Sequence, residues 1–162
     1  MTRRSVEKRV VAFYPISNSV AFAVLEGQEL LDWGMVQVKP KSPDDGMNRI
    51  VALIERYAVD AVVAEDHHGK TRRGARIRSL LSGIKVSALG RRTRWKGLSR
   101  DQVRETFAGS ARTRYEIAVV LAERYPELAL RLPPKSKAWT SEDHRIALFD
   151  AVAFGLTYTA SV

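Results

Sequence analysis

Three acidic residues stand where a metal-dependent chemistry could be assembled. Glu65 closes the apolar run Ala61-Val-Val-Ala64 and is followed by Asp66, His67 and His68. Asp150 interrupts the apolar stretch Arg145-Ile-Ala-Leu-Phe-Asp-Ala-Val-Ala-Phe-Gly-Leu156, where a carboxylate is costly unless it is ion-paired or holds a metal. Asp143 comes seven residues before Asp150, nearly on the same helix face and about 10 Å away along the axis. Carboxylates that converge can hold one or two Mg²⁺ (or Mn²⁺) ions, which align an attacking water with the departing oxygen of a phosphodiester. Glu65, Asp150 and Asp143 are therefore the candidate catalytic and metal-ligating residues. Each has a plainer reading: Glu65 as a solvated strand end, and Ser141-Glu142-Asp143 as a negative first turn that complements a helix dipole. Adjacent strand residues point to opposite faces, so at most one of Glu65 and Asp66 can serve a shared site. His67 and His68 could add a ligand or a proton carrier, although paired loop histidines are more often surface residues.

Composition narrows the chemistry. The 162 residues contain no cysteine, which excludes disulfides, zinc–thiolate sites and thiol catalysis. Any metal must be held by oxygen or by the three histidines. With 45% apolar and 28% charged residues and no long apolar stretch, a soluble globular protein is expected. The N-terminal segment does not fit a signal peptide, because Glu7 and the short run after Arg9 make no proper apolar region, so a cytoplasmic location is expected. A formal charge of +9 suggests a polyanionic partner. From Lys70 to Arg104 there are twelve Lys or Arg and one acid, Asp101. Such segregation favours nucleic acid over mere solubility. Arg91-Arg92-Thr-Arg94-Trp95-Lys96 places an aromatic among cations, suited to stacking on an exposed base while its neighbours contact phosphates. The alternative for Trp95 is a partly buried loop anchor. Arg72, Arg73, Arg76 and Arg78 would add a second basic edge, with Lys70 a further candidate for nucleic-acid contact, and Arg112 and Arg114 a more doubtful third.

The elements that must position these groups follow from periodicity and turn chemistry. Val10–Pro15, Val20–Leu25 and Leu30–Val38 are β-rich runs separated by Ile16-Ser-Asn-Ser19 and Glu26-Gly-Gln-Glu29, which predicts three antiparallel strands. Ser42 or Asp44 can cap a helix to about Tyr57, with Met47, Ile50, Val51, Ile54 and Tyr57 on one face. Ala61–Ala64 is apolar throughout, as expected of a central strand covered on both sides. Thr71–Gly83 suits a second helix and Lys85–Leu89 a fifth strand. Helices are then expected from Ser99 to Phe107, from Thr113 to Tyr125 and from Ser141 to about Tyr158, with the prolines at 126, 133 and 134 in the connection. Residues 1–162 are thus read as one domain: an α/β, RNase H-like mixed five-stranded sheet, three antiparallel strands and then parallel ones, with helices on both faces. No Gly-rich phosphate loop is present, which disfavours a nucleotide-binding Rossmann or P-loop domain.

Two segments carry a resemblance to a known family. Val10-Val-Ala-Phe-Tyr-Pro-Ile-Ser17 resembles the first-strand motif of RuvC-type Holliday junction resolvases, an apolar run ending in Asp-Pro-Gly-Ser. Phe149-Asp-Ala-Val-Ala-Phe-Gly-Leu156 resembles the Asp-Ala-x-Ala-x-x-Leu of their final helix. With Glu65, the resemblance spans nearly the whole chain. It implies acids that bind Mg²⁺ and cleave branched DNA, usually as a homodimer. Tyr14 stands where that family has its first-strand Asp, Ile16 replaces the glycine after the proline, and Ala147 occupies the place of an acid or His one turn before the last Asp. A neutral phenol is a poor substitute for a carboxylate that bridges hard cations.

Two functions are expected from these features. One is a metal-dependent endonuclease acting on structured or branched DNA, its acids facing a phosphate chain gripped by the arginine-rich flank. The other is a degenerate relative that binds nucleic acid without cleaving it, to which Tyr14 lends support. An actin-like ATPase is disfavoured by the short chain and by hairpin loops without Asp-and-Gly phosphate turns.

Overall fold

The structure, a computed structural model, describes residues 8–66, 74–135 and 144–161. Lys70, Arg72, Arg73, His67, His68 and Asp143, all singled out above, lie outside the described residues.

Strands β1 (Arg9–Ile16), β2 (Ser19–Glu26) and β3 (Glu29–Gln37) form an antiparallel meander. The first turn holds Ser17 at φ 42° and the second is made possible by Gly27 at φ 58°. Pro15 stays within β1, opposite Val20, so the strand runs one residue past the expected break. Helix α1 (Pro43–Arg56) leads to β4 (Ala61–Glu65), which pairs parallel to β1. Helix α2 (Ala75–Leu89) then leads to β5 (Arg94–Leu98), parallel to β4. The sheet order is β3-β2-β1-β4-β5. Helices α3 (Arg100–Phe107) and α4 (Arg114–Arg124), a 3₁₀ turn (Pro126–Arg131) and α5 (His144–Ser161) complete the described chain.

The expected strand at Lys85–Leu89 is corrected: these residues are the last turns of α2, and the fifth strand is Arg94–Leu98, within the basic stretch that surrounds Trp95. Leu81, Ile84 and Ala88 fall at helical spacing and are fully buried, so one helix face carries the core while Val86 and Leu89 face solvent. Gly83 does not end the helix, its modest helix cost being outweighed by that packing.

Because side chains alternate along a strand, β1 serves two cores. Val10, Ala12 and Tyr14 face α4 and α5, whereas Val11 and Phe13 face α1 and α2. Both sheet faces are thus covered, which accounts for the uninterrupted apolar character of β1 and β4. Helix α5 lies close on the sheet: a Cβ added to Gly155 would stand 2.5 Å from Leu25 Cδ1 and 3.4 Å from Ala12 Cβ. Among the described residues no helix is long and apolar enough to cross a membrane.

A carboxylate held by two arginines

Five side chains meet at the carboxyl ends of the central strands. Tyr14 projects near the end of β1 on the α5 face. Glu65 ends β4 and shares the face of Ala61 and Val63 by alternation, so it turns toward the same helix. Asp150 comes from the buried middle of α5 and is 4% exposed. The other two are arginines at helix starts. Ser99 caps α3 with a reciprocal capping box, its hydroxyl accepting from the Gln102 N–H while the Gln102 side chain accepts from the Ser99 N–H, and Arg100 follows immediately. Thr113 accepts from the Glu116 N–H to cap α4, and Arg114 follows it in the same way.

Both guanidinium groups close on Asp150. Arg114 Nε donates to Oδ2 at 2.8 Å and to Oδ1 at 3.0 Å, and its Nη2 donates to Oδ2 as well. Arg100 Nη1 donates to Oδ1 at 3.1 Å, while its Nη2 donates to the Tyr14 hydroxyl. The Arg100 guanidinium also lies 5.3 Å from the Tyr14 ring centroid and 5.7 Å from that of Phe154, and Arg114 lies 5.6 Å from the Tyr14 ring. These are cation–π distances. Burial by itself would lower the pKa of Arg100, but the charge of Asp150 above all, with the Tyr14 phenol, the bond to Asp150 and the charge of Glu65, raises it overall. Arg114 is raised against the same desolvation, by its bonds to Asp150 and the charge there. Two fixed positive charges therefore face Asp150, and one of them, Arg100, also feels Glu65.

These residues do not fit a divalent metal. Mg²⁺ and Mn²⁺ need several oxygens turned toward one point. Both Asp150 oxygens accept from guanidinium groups, and the Arg100 guanidinium stands among Asp150, Tyr14 and Glu65 as the local cation. Ala147, one turn before Asp150, is fully buried in the apolar core. No cluster of three His, Asp or Glu able to hold a metal occurs among the described residues. Arg100 thus bonds Asp150 and also feels the charge of Glu65. Arg100 and Arg114 were legible only as members of basic runs. The signal that could have found them is physical: a carboxylate buried in an apolar helix face, near a position that lacks its acid, needs cations from elsewhere.

The basic residues fall differently. The register pairs Ala61 with Arg94 and Glu65 with Leu98, so Arg91, Arg92 and Arg94 sit at the opposite end of the strands from Glu65, about 13 Å away at 3.3 Å per residue. The expectation that this flank faces the acids is corrected accordingly. Arg91 donates to Glu55 at 3.0 Å and to the Ser87 carbonyl at 3.0 Å. Arg76 donates to Asn18 Oδ1 at 2.5 Å and to the Val38 carbonyl at 3.1 Å, tying α2 to the meander. Trp95 is partly buried on the α1–α2 side of the sheet, packed against Val62 and its neighbours, so the structure favours the anchor over the stacking platform. Lys96 is exposed on β5.

A five-stranded sheet of this order, with a meander leading into parallel strands and helices on both faces, defines the RNase H-like class. Within it the fold is that of RuvC. The RuvC of Thermus thermophilus in complex with a Holliday junction substrate superposes with a TM-score of 0.63 at 18% identity, covering 95% of this chain and 94% of that one. A second Thermus thermophilus RuvC structure gives 0.61 at 22% identity over 93% and 95%. No family model and no curated protein matches the sequence.

Proposed function

We propose that this chain is a RuvC-fold module that binds nucleic acid, DNA in the first instance, and does not cleave it through a metal. The observation that carries this reading is the seat of Arg100, whose guanidinium engages Asp150 and Tyr14 and feels Glu65. The net charge of +9 supports a polyanionic partner, and a RuvC of the same fold is known bound to a Holliday junction. Glu65 and Asp150 then serve as counter-charges that hold two arginines, which tie β5 and the starts of α3 and α4 to α5. Asp143, Mg²⁺ or Mn²⁺, and a homodimer belong to the competing reading of an active endonuclease.

A labelled four-way junction incubated with the protein separates the two. Salt-sensitive binding with no cleavage at any Mg²⁺ or Mn²⁺ concentration is expected. Metal-dependent cleavage that disappears in both Glu65→Gln and Asp150→Asn would instead establish the endonuclease.

A further inference from the structure

Among the described residues strand β5 ends the sheet and pairs only with β4. Along β5 and the turn that leads into it, side chains alternate between solvent and core. Arg92, Arg94 and Lys96 are exposed, whereas Thr93 is 8% exposed and Trp95 packs into the second core. Arg92 turns the chain out of α2 in a left-handed conformation, φ 58°. At the same end of the sheet a recess of about 500 Å³ opens between the end of α1 and this turn, lined in part by Lys8, Arg91, Arg92 and Arg94. The two acids in its wall are already engaged: Glu55 by Arg91 at 3.0 Å, and Asp60 by the Arg9 backbone N–H at 3.0 Å. Among the described residues Lys8, Arg92, Arg94 and Lys96 make no salt bridge.

We propose that the recess and the outer edge of β5 form a track for the phosphate backbone of a nucleic acid, separate from the Arg100–Asp150 centre. This rests on the reading of the chain as a nucleic-acid-binding module and names the surface that does the binding. Alternate residues of a strand recur at about 6.6 Å. Neighbouring phosphates on one strand of a duplex combine an axial advance of about 3.4 Å with a turn around the axis, which puts them on the order of 7 Å apart in space. Arg94 and Lys96, one alternation apart on β5, are therefore spaced to meet neighbouring phosphates of a strand laid along the sheet edge, on one face only. Trp95, turned to the core, holds the strand flat and contacts no base. Edge strands also carry Lys and Arg simply to prevent strand-to-strand aggregation. That role predicts an effect on self-association and none on nucleic acid.

The test is the salt dependence of binding to a labelled random-sequence DNA duplex, for wild type and for the triple variant Arg92→Gln/Arg94→Gln/Lys96→Gln. The side chains are exposed, and an unchanged thermal unfolding curve checks that the variant is folded. The track predicts at least tenfold weaker binding at low salt and a slope of log affinity on log salt that falls by roughly 0.9 for each phosphate the variant no longer neutralises. Trp95→Phe is expected to bind like wild type. A triple variant with wild-type affinity and slope would overturn the track while leaving the binding reading intact, whether or not the variant self-associates. Failure of the wild-type chain to bind the duplex or a junction would remove both.

Discussion

Arg114 holds both oxygens of Asp150 through one nitrogen, its Nε lying 2.8 Å from Oδ2 and 3.0 Å from Oδ1, while Arg100 approaches Oδ1 from another helix. Removing both arginines leaves a carboxylate stranded in the core. Arg100→Met/Arg114→Met is expected to lose about 3–5 kcal/mol in urea unfolding. Each single variant should lose less, because the remaining guanidinium still pairs. Adding Asp150→Leu to the double variant should recover much of the loss, since a well-packed apolar replacement of a buried charge set is often neutral. No recovery in the triple variant would mean that the cluster is held by something other than charge pairing.

Tyr57 and Tyr125 should titrate above the ordinary tyrosine range. Tyr57 donates to Asp32 at 2.5 Å, a bond that, with burial and the Asp32 charge, raises its pKa from 10.0. Tyr125 is raised mainly by burial, partly offset by Arg124 and reinforced by Glu127. A folded-state pKa above the unfolded one means that the stabilisation is complete below pH 10 and is lost as pH rises through the folded value. An alkaline ultraviolet titration should show both phenols ionising late. Tyr57→Phe should remove one late step.

Gly155→Ala should weaken the docking of α5 on the sheet. The new methyl would overlap Leu25, itself fully buried in the core. Overpacking of this kind costs about 1–3 kcal/mol, more than the helix preference of alanine returns. Calorimetric melting of the variant would measure it, and an unchanged or higher Tm would show that the α5–β2 packing is loose.

Trp95→Ala should act on stability before binding. The indole packs on the second core, and its truncation is expected to cost about 2 kcal/mol, below the range for a fully buried tryptophan. A variant that is as stable as wild type yet binds nucleic acid poorly would restore the stacking role.

Much of this architecture was legible in the residues. The three strands of the meander, α1, β4 and the cap residues Ser99 and Thr113 follow from alternation, turn chemistry and capping, which are local. The misplaced fifth strand shows where local reading ends. Lys85-Val-Ser-Ala-Leu89 has strand-like residue types, and only the burial of Leu81, Ile84 and Ala88 on one side makes it helix. Arg94-Trp-Lys-Gly-Leu98 carries three cations or glycine in five positions and becomes a strand because β4 offers it an open edge. The centre was half visible for the same reason. Glu65, Asp150 and the odd Tyr14 could be placed by their elements. The pairing of Asp150 with arginines 50 and 36 residues away is a tertiary fact with no spacing to announce it.

The charge that fills this centre is tethered to the chain. A bound ion can be stripped by a chelator, exchanged for a competitor or diluted away, whereas a guanidinium arrives with synthesis and stays protonated throughout the physiological range. The join between the sheet and its last helix is thus made by charges that the chain itself carries.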